Sequence, residues 1–328
     1  MDTILSSLSQ KKKLLDEFQP LSTELVSNLR EWFRVELTYT SNAIEGNTLT
    51  RQETALVVDK GLSIEGKPLK EVLEAAGHAK AFDYIEQLVG DNRTAISEDT
   101  ILTIHERILS AIDNVNAGRY RSVPVRIAGS RAVMPNYLKV PELMANFAGW
   151  LTSTNSDHPA KFAADAHFKL ASIHPFVDGN GRTARLLMNL LLMQTGYPAA
   201  IIRPENRNTY VTALEKAQMG GSMEEYYECI FAAIDRSLDI YLDSVGQPSL
   251  TTIGDAGKLL KIGELAKATG ETVPTLRHWT REGLLRVVSY TPGGYQLYDP
   301  DMIGRVREIR RLQSDQRQTL AEIKRRLG

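Results

Sequence analysis

The chain has 328 residues, 42% hydrophobic and 24% charged, with a formal net charge of −1; this is ordinary for a globular protein of two or three domains with a substantial core. Cys229 is the only cysteine, which excludes an intrachain disulfide and points to a reducing compartment. The start, Met1-Asp-Thr-Ile-Leu-Ser-Ser, has no basic n-region and no long apolar run, so a cytoplasmic protein without export signal or membrane span is expected. The charge is unevenly spread. Leu259–Gly328 holds 13 Lys/Arg against 8 Asp/Glu, leaving 26 against 32 in residues 1–258. A basic tail behind an acidic body suggests that only the tail meets nucleic acid.

In chain order, residues 1–37 read as helical, with Leu14, Leu15, Phe18, Leu21, Leu25, Leu29, Trp32 and Phe33 at apolar positions. In Thr40-Ser-Asn-Ala-Ile-Glu-Gly-Asn47, Ser41 and Glu45 are four apart and share a helix face, and Gly46 can end that helix. The same residues also fit a helix start, with Asn42 as cap and Glu45 three residues on. A second Ile-Glu-Gly at residues 64–66 has Gly61 in place of the serine and reads as loop. Residues 69–113 predict further helices, with His78 and His105 as surface or packing histidines, since no carboxylate or cysteine spacing makes them metal ligands. Between Gly118 and Pro135, Val123, Val125 and Ile127 alternate and Gly129-Ser130 turns. A short hairpin or a connecting loop with a β-bridge would both fit.

Residues 162–194 read helix, tight turn, helix. Phe162, Ala163, Ala166, Phe168, Leu170 and Ile173 form the first apolar pattern, with His167 read as structural. Leu186, Leu187, Leu190, Leu191 and Met193 form the second, and Gly196 with Pro198 stops it. Pro175 ends the first helix, and Gly179 and Gly181 permit a sharp re-entry. The turn is His174-Pro-Phe-Val-Asp-Gly-Asn-Gly-Arg-Thr-Ala-Arg185. A helix beginning near Gly181 presents unpaired N–H groups suited to phosphate. Arg182 and Arg185, three apart, could both reach one polyphosphate. Asp178 could share a hard cation such as Mg²⁺ with phosphate oxygens. His174 alone can exchange a proton near neutral pH without a large shift. Blander readings stand beside these: a capping histidine and a solvated arginine face. Gly179-x-Gly181-x-x-Ala184 with Glu205 downstream also fits a dinucleotide fingerprint, although that motif must follow a strand, and no Lys-Ser/Thr pair follows for a Walker A loop.

A further helix begins at Arg207-Asn-Thr-Tyr210 and ends near Met219-Gly220-Gly221. Ser244–Gly257 is rich in small and turn residues, as a linker is. Residues 260–270 and 273–285 then read as two helices joined by a short glycine-containing turn, a helix-turn-helix, and Tyr290–Asp299 suggests a wing.

The stretch 174–185 matches the signature of the Fic family, His-x-Phe-x-Asp/Glu-Gly-Asn-Gly-Arg-x-x-Arg, at every defining position. The resemblance extends from about Thr38 to about Leu238. It implies a protein nucleotidyltransferase that moves AMP from ATP to a hydroxyl of a target protein, with the target as partner, and with ATP as substrate and Mg²⁺ as metal. Carried over by position, His174 is the general base and Asp178 the metal ligand. Gly179, Asn180, Gly181, Arg182 and Arg185 take the phosphates. Ser41–Gly46 resembles the family's inhibitory helix in the class that carries it N-terminally, so Glu45, with Ser41, would pair with Arg185 in place of the γ-phosphate. The same Glu45 could position a water to remove AMP. The hairpin would be the family's flap, which holds the target by strand addition, with Gly129, Ser130, Arg131 and Ala132 at its tip beside the nucleotide. Tyr210 would lie against adenine. Gln218 stands where the family often has asparagine, so its reach toward base or ribose is longer.

Residues 260–328 resemble the MerR-type winged helix. Lys267, Thr275, Arg277 and the wing around Gly294-Tyr295 are the DNA-facing candidates, with Gln296 where that family often has arginine. The long dimerising helix of MerR regulators is missing, so two half-sites would require a homodimer formed through the front domain. A winged helix used for protein contact is the alternative. The expected fold is mainly α, a Fic helical bundle with a short β-hairpin flap followed by a small winged helix-turn-helix. Its parts are an N-terminal helical region over 1–96 with the inhibitory helix near 38–47, a catalytic core over 97–243, a linker over 244–258 and the winged domain over 259–328.

Overall fold

The computed structural model describes residues 1–90, 96–127, 129–153, 157–246, 259–290, 296–299, 302–314 and 323–324. The chain forms two compact units, Met1–Leu250 and Thr251–Gly328. The first is helical: α1 (Asp2–Asp16), α2 (Thr23–Ile44), α3 (Arg51–Lys60), α4 (Leu69–Gly90), α5 (Glu98–Leu109), α6 (Val140–Thr152), α7 (Pro159–Ile173), α8 (Asn180–Gln194), α9 (Arg207–Gln218) and α10 (Glu224–Ser244). Its starts follow local chemistry. Ser22 caps α2, and Thr50 with Glu53 makes a capping box on α3. The 40–47 stretch is a helix end, not a helix start: α2 runs to Ile44, and Gly46 leaves it at φ 98°.

Helix α8 is the axis of this unit. Every side chain from Arg182 to Leu192 is buried, as expected of a helix covered on all sides by α7, α4 and α5. The polar residues on such a helix need partners inside the protein. Asn189 takes the Ala200 N–H at 2.8 Å; Arg182 and Arg185 find theirs at the helix N-terminus. The end helices are clasped by Lys11 of α1, whose buried ammonium lies 2.8 Å from Asp235 and 2.7 Å from Asp239 of α10.

The hairpin expected over 118–135 has its turn but not its ladder. Ser130 N–H bonds to Ile127 O at 3.1 Å, yet no strand is formed among the described residues of this segment. Pro124 and Pro135 carry no N–H to contribute to a ladder, and the Arg131 N–H is taken by the Glu215 carboxylate of α9 at 2.5 Å.

The second unit pairs β1 (Leu260–Lys261), β2 (Val287–Tyr290) and β3 (Gln296–Tyr298) in the antiparallel order β1-β3-β2. Against them lie α11 (Ile262–Thr269), α12 (Val273–Arg281) and α13 (Met302–Ser314), around Leu265, Leu276, Trp279, Leu284, Tyr298 and Ile309. Gly270 ends α11 in the left-handed region and Thr272 caps α12, which makes the tight turn of a helix-turn-helix. Among the described residues, no helix is long and apolar enough to cross a membrane.

Candidate active site

The site is built where α7 ends and α8 begins. His174 terminates α7 in the left-handed region at φ 51°, and among the described residues it is the one non-glycine at positive φ. That conformation is uncommon for a residue with a Cβ and persists where the surroundings over-determine it. Here Arg121 does so. Its buried guanidinium donates from Nε to His174 O at 2.8 Å, from Nη1 to Val123 O at 3.1 Å and from Nη2 to Pro135 O at 2.6 Å, while its own N–H bonds to Pro175 O at 2.9 Å. One side chain thus pins both ends of the 123–135 segment to the histidine backbone. The sequence signal was slight, the second of two arginines in Gly118-Arg-Tyr-Arg121.

The His174 ring is oriented by Nδ1, which donates to Ala171 O at 3.3 Å, so Nε2 carries the free lone pair. Burial holds its pKa below the usual histidine value, against the raising effect of the Ala171 bond. The ring is therefore neutral at neutral pH, with Nε2 open to accept a proton.

The loop after it closes on itself. Asn180 accepts from Phe176 N–H and donates to Phe176 O, both at 2.9 Å. Its side chain is buried and braces the loop backbone, so the part of Asn180 left to face a ligand is its backbone N–H at the start of α8. Beneath, His105 stacks on the Phe176 ring at 3.6 Å and 4°. Gly118 N–H donates to its Nδ1 at 3.0 Å, which leaves Nε2–H to donate to Asp178 O at 3.0 Å. His105 is a buried loop support that sequence spacing alone could not reveal.

Gly179 adopts φ 76° against the His105 ring and provides no side-chain cap, so the first N–H groups of α8 are left for a ligand. Gly181 is helical, so its glycine is not needed for a backbone angle. It is needed for space: a Cβ there would collide with the Glu45 carboxylate and approach Arg185 Nη1 to 3.0 Å.

Over this cradle lies Glu45. Its Oε1 accepts from Arg185 Nη2 at 2.7 Å, and Arg185 also donates from Nε to Ser41 Oγ at 3.0 Å and from Nη2 to Ser41 O at 2.9 Å. Burial alone would lower the Arg185 pKa, but Glu45 and Tyr210 outweigh it and raise it. Arg207, exposed at the start of α9, donates to Ile44 O at 2.6 Å and ties down the carbonyl at the end of α2.

The two signature arginines do not point together. Arg182 turns to Asp178 at 3.3 Å and to Glu74 at 3.5 Å, and its buried Nε and Nη1 have no hydrogen bond. Asp178 is half exposed; its Oδ1 accepts the Gly179 N–H at 2.6 Å. Tyr210 departs from expectation: at 2% exposed it is packed into the core and offers no ring face to a base. The apolar side of α9 turns it inward, and its hydroxyl bonds to His167 Nε2 at 2.8 Å. Gln218 is half-buried at the last position of α9. The turn Gly129–Ala132 is tied to α9 through Glu215, with Ala132 N–H on Ser130 Oγ at 3.1 Å. In the second unit Lys267 and Arg277 are exposed and Thr275 is half-buried. Tyr295 lies outside the described residues.

A helical bundle with a base-bearing loop opening onto a helix N-terminus defines the class. The family model described as "Fic/DOC family" matches residues 95–192. The chain is 36% identical over 237 residues to "Protein adenylyltransferase Fic" of Culex quinquefasciatus, covering 72% of this chain and 47% of that protein. It is 35% identical over 243 residues to the protein of the same name from Nematostella vectensis, covering 74% of this chain and 56% of that one. The chain therefore spans about half the length of these relatives. The solved structure of "Fic-1 (aa134 - 508) from C. elegans" superposes with a TM-score of 0.68 at 32% identity, covering 75% of this chain and 72% of that one. The chain belongs to the Fic family. Residues 260–328 match the model described as "MerR HTH family regulatory protein".

Proposed function

We propose that this protein transfers AMP from ATP to a hydroxyl side chain of a target protein, and that its own Glu45 holds it in check. The observation that carries the reading is the Glu45 carboxylate, set on Arg185 and against Gly181 at the open end of α8, beside a histidine whose Nε2 is free. A carboxylate there stands in for a phosphate oxygen. With Glu45 withdrawn, Arg185 and the α8 amides bind the triphosphate, and Arg182 would join them on leaving Asp178 and Glu74. His174 Nε2 takes the proton of the target hydroxyl as its oxygen attacks the α-phosphorus. The α–β anhydride bond breaks and pyrophosphate leaves.

The half-exposed Asp178 carboxylate fits a hard cation shared with phosphate oxygens, and Mg²⁺ bound there would neutralise charge on the phosphates. Glu45 could also direct water onto an AMP-modified target, which reverses the transfer. The segment 123–135, pinned at both ends by Arg121, is the surface on which a target strand would lie. A single cysteine and no membrane-length helix among the described residues support a cytoplasmic location.

The test is incubation with labelled ATP and Mg²⁺. Label should reach the protein itself or a lysate protein, more strongly for Glu45→Gly and not at all for His174→Ala. A second reading, a nucleotide-sensing DNA-binding regulator, is favoured by the helix-turn-helix match and by the exposed Lys267 and Arg277. In that reading the protein, as a homodimer, binds DNA through 259–328. Absence of label transfer from both forms, together with tight and salt-sensitive DNA binding, would select it.

A further inference from the structure

The buried polar groups behind Arg185 form a chain whose every proton can be placed. Tyr226 OH donates to Ala164 O at 2.8 Å. It must therefore accept from His167 Nδ1, also 2.8 Å away, which puts the ring proton on Nδ1. His167 Nε2 is then an acceptor, and Tyr210 OH donates to it at 2.8 Å. That leaves the Tyr210 oxygen as an acceptor facing the Arg185 guanidinium, with which it is within hydrogen-bonding reach. Tyr210, His167, Tyr226 and Arg185 are all buried.

The other partners of Arg185 are unlike Tyr210 in one respect. Ser41 Oγ, Ser41 O and Glu45 Oε1 all belong to the end of α2, the element that carries the carboxylate a triphosphate must displace. Tyr210 belongs to α9, and the relay behind it is anchored on α7 and α10. We propose that Tyr210, held by His167 and Tyr226, is a positioning residue that keeps Arg185 aimed at the terminal phosphates once the Glu45 contact is gone. The relay rests on the reading of Arg185 as a phosphate ligand given above. The mechanism is preorganisation. A long, flexible guanidinium side chain loses affinity when it must be ordered at the moment of binding, and a relay fixed by packing and directed hydrogen bonds removes that cost.

The experiment uses the full chain carrying Glu45→Gly, to withdraw the brake, and His174→Ala, to prevent turnover. ATP and AMP affinities are measured with Mg²⁺ by calorimetry, and thermal unfolding checks each variant. Adding Tyr210→Phe should weaken ATP by about tenfold, in line with loss of a hydrogen bond to a charged group, and leave AMP unchanged within about twofold. Tyr226→Phe touches neither Arg185 nor ligand; it should show the same selective loss, smaller in size. Equal weakening of ATP and AMP by Tyr210→Phe, or of neither, overturns the relay, and so does a Tyr226→Phe protein that binds both like its parent. Arg185→Ala separates the two levels of the argument. If it keeps the preference for ATP over AMP, the phosphate reading of Arg185 fails; if it loses the preference while Tyr210→Phe keeps it, only the relay fails.

Discussion

Glu45 Oε1 lies 2.7 Å from Arg185 Nη2, between residues 140 positions apart, and the same oxygen covers the Cα of Gly181. An acidic side chain at the positive end of a helix, on an arginine that is itself buried, is favourable on both counts. The pair is not sealed, however. The Glu45 side chain is 40% exposed against 6% for Arg185. A partly solvated carboxylate can be displaced by a more highly charged anion, which is what a releasable brake requires. Replacing Glu45 should therefore raise label transfer in the order Gly above Gln, and Gln above the parent, with Gly at least tenfold up. Gln keeps the shape but not the charge. Initial rates of transfer at fixed ATP give the ranking, and a Gln variant as slow as the parent would assign the brake to shape alone.

Gly181 offers a test in which stability and activity move in opposite directions. Alanine in a helix is favoured over glycine by about 0.5–1 kcal/mol, so Gly181→Ala should hold or raise Tm once Glu45 is absent. The new methyl group would occupy the cradle beside Arg185 Nη1 and displace the phosphates. Transfer by Glu45→Gly/Gly181→Ala should fall about 100-fold or more, as small misplacements of reacting groups do. Calorimetric unfolding and initial rates on one preparation decide it; a Tm drop of several degrees would mean that the helix, not the cradle, was damaged.

Arg121 is the joint between His174 and the 123–135 segment, through carbonyl oxygens of His174, Val123 and Pro135. Among the described residues it has no salt-bridge partner, and burial lowers its pKa. Arg121→Lys supplies one charged group in place of the planar fork and cannot span all three carbonyls. Its kcat should fall by about tenfold or more with the KM for ATP near that of the parent, because His174 is misaimed while the phosphate site is intact. Arg121→Met should be worse in kcat and lower in Tm. A rise in KM for ATP with unchanged kcat would contradict the assignment.

The parts legible in the sequence are those whose physics is local. Helical periodicity marks α7 and α8, Gly46 and Gly270 mark ends, and residues 174–185 concentrate base, acid, glycines and arginines in one turn. Direction was not legible. Arg182 and Arg185 share a helical spacing, yet one turns toward Glu74 and the other toward Ser41 and Glu45, because the elements that receive them are α4 and α2. Tyr210 reads as well for a base-stacking ring as for a core tyrosine; only the burial of its side of α9 decides. His105, Arg121 and Arg207 act through backbone carbonyls or amides far along the chain, as in Arg207 with Ile44, 163 positions away. Such contacts leave no pattern in a single sequence. The 118–135 segment shows the opposite failure, where alternating valines suggested a ladder that prolines and Glu215 preclude.

Three buried neutral histidines set the acid limit of stability. Burial lowers His78 and His167 to about 3 and His105 to about 4, from an ordinary value of 6.5. The unfolded chain therefore binds more protons than the folded one between pH 6.5 and about 4, so stability is fully present above 6.5 and is lost as pH falls below it. Near pH 5 these groups should make unfolding take up about three protons, a slope of about 4 kcal/mol per pH unit. The pH dependence of Tm with the calorimetric enthalpy gives the proton count, and an uptake below about one proton would contradict the buried, neutral assignment.

His174 makes a matching prediction for rate. As a base it must be unprotonated, and burial lowers its pKa below 6.5, so transfer should be flat through neutral pH and fall only on an acid limb centred below 6.5. Its neighbours then fix how variants move that limb. Glu45 raises the His174 pKa and Arg121 lowers it. Removing the Glu45 carboxylate should therefore shift the limb to lower pH, and removing the Arg121 charge should shift it to higher pH, in pH–rate profiles taken at saturating ATP. Opposite displacements from a common parent are hard to obtain from general damage, which would lower the whole profile without moving its midpoint. A limb centred above 6.5, or one unmoved by both substitutions, would remove His174 from the role of base.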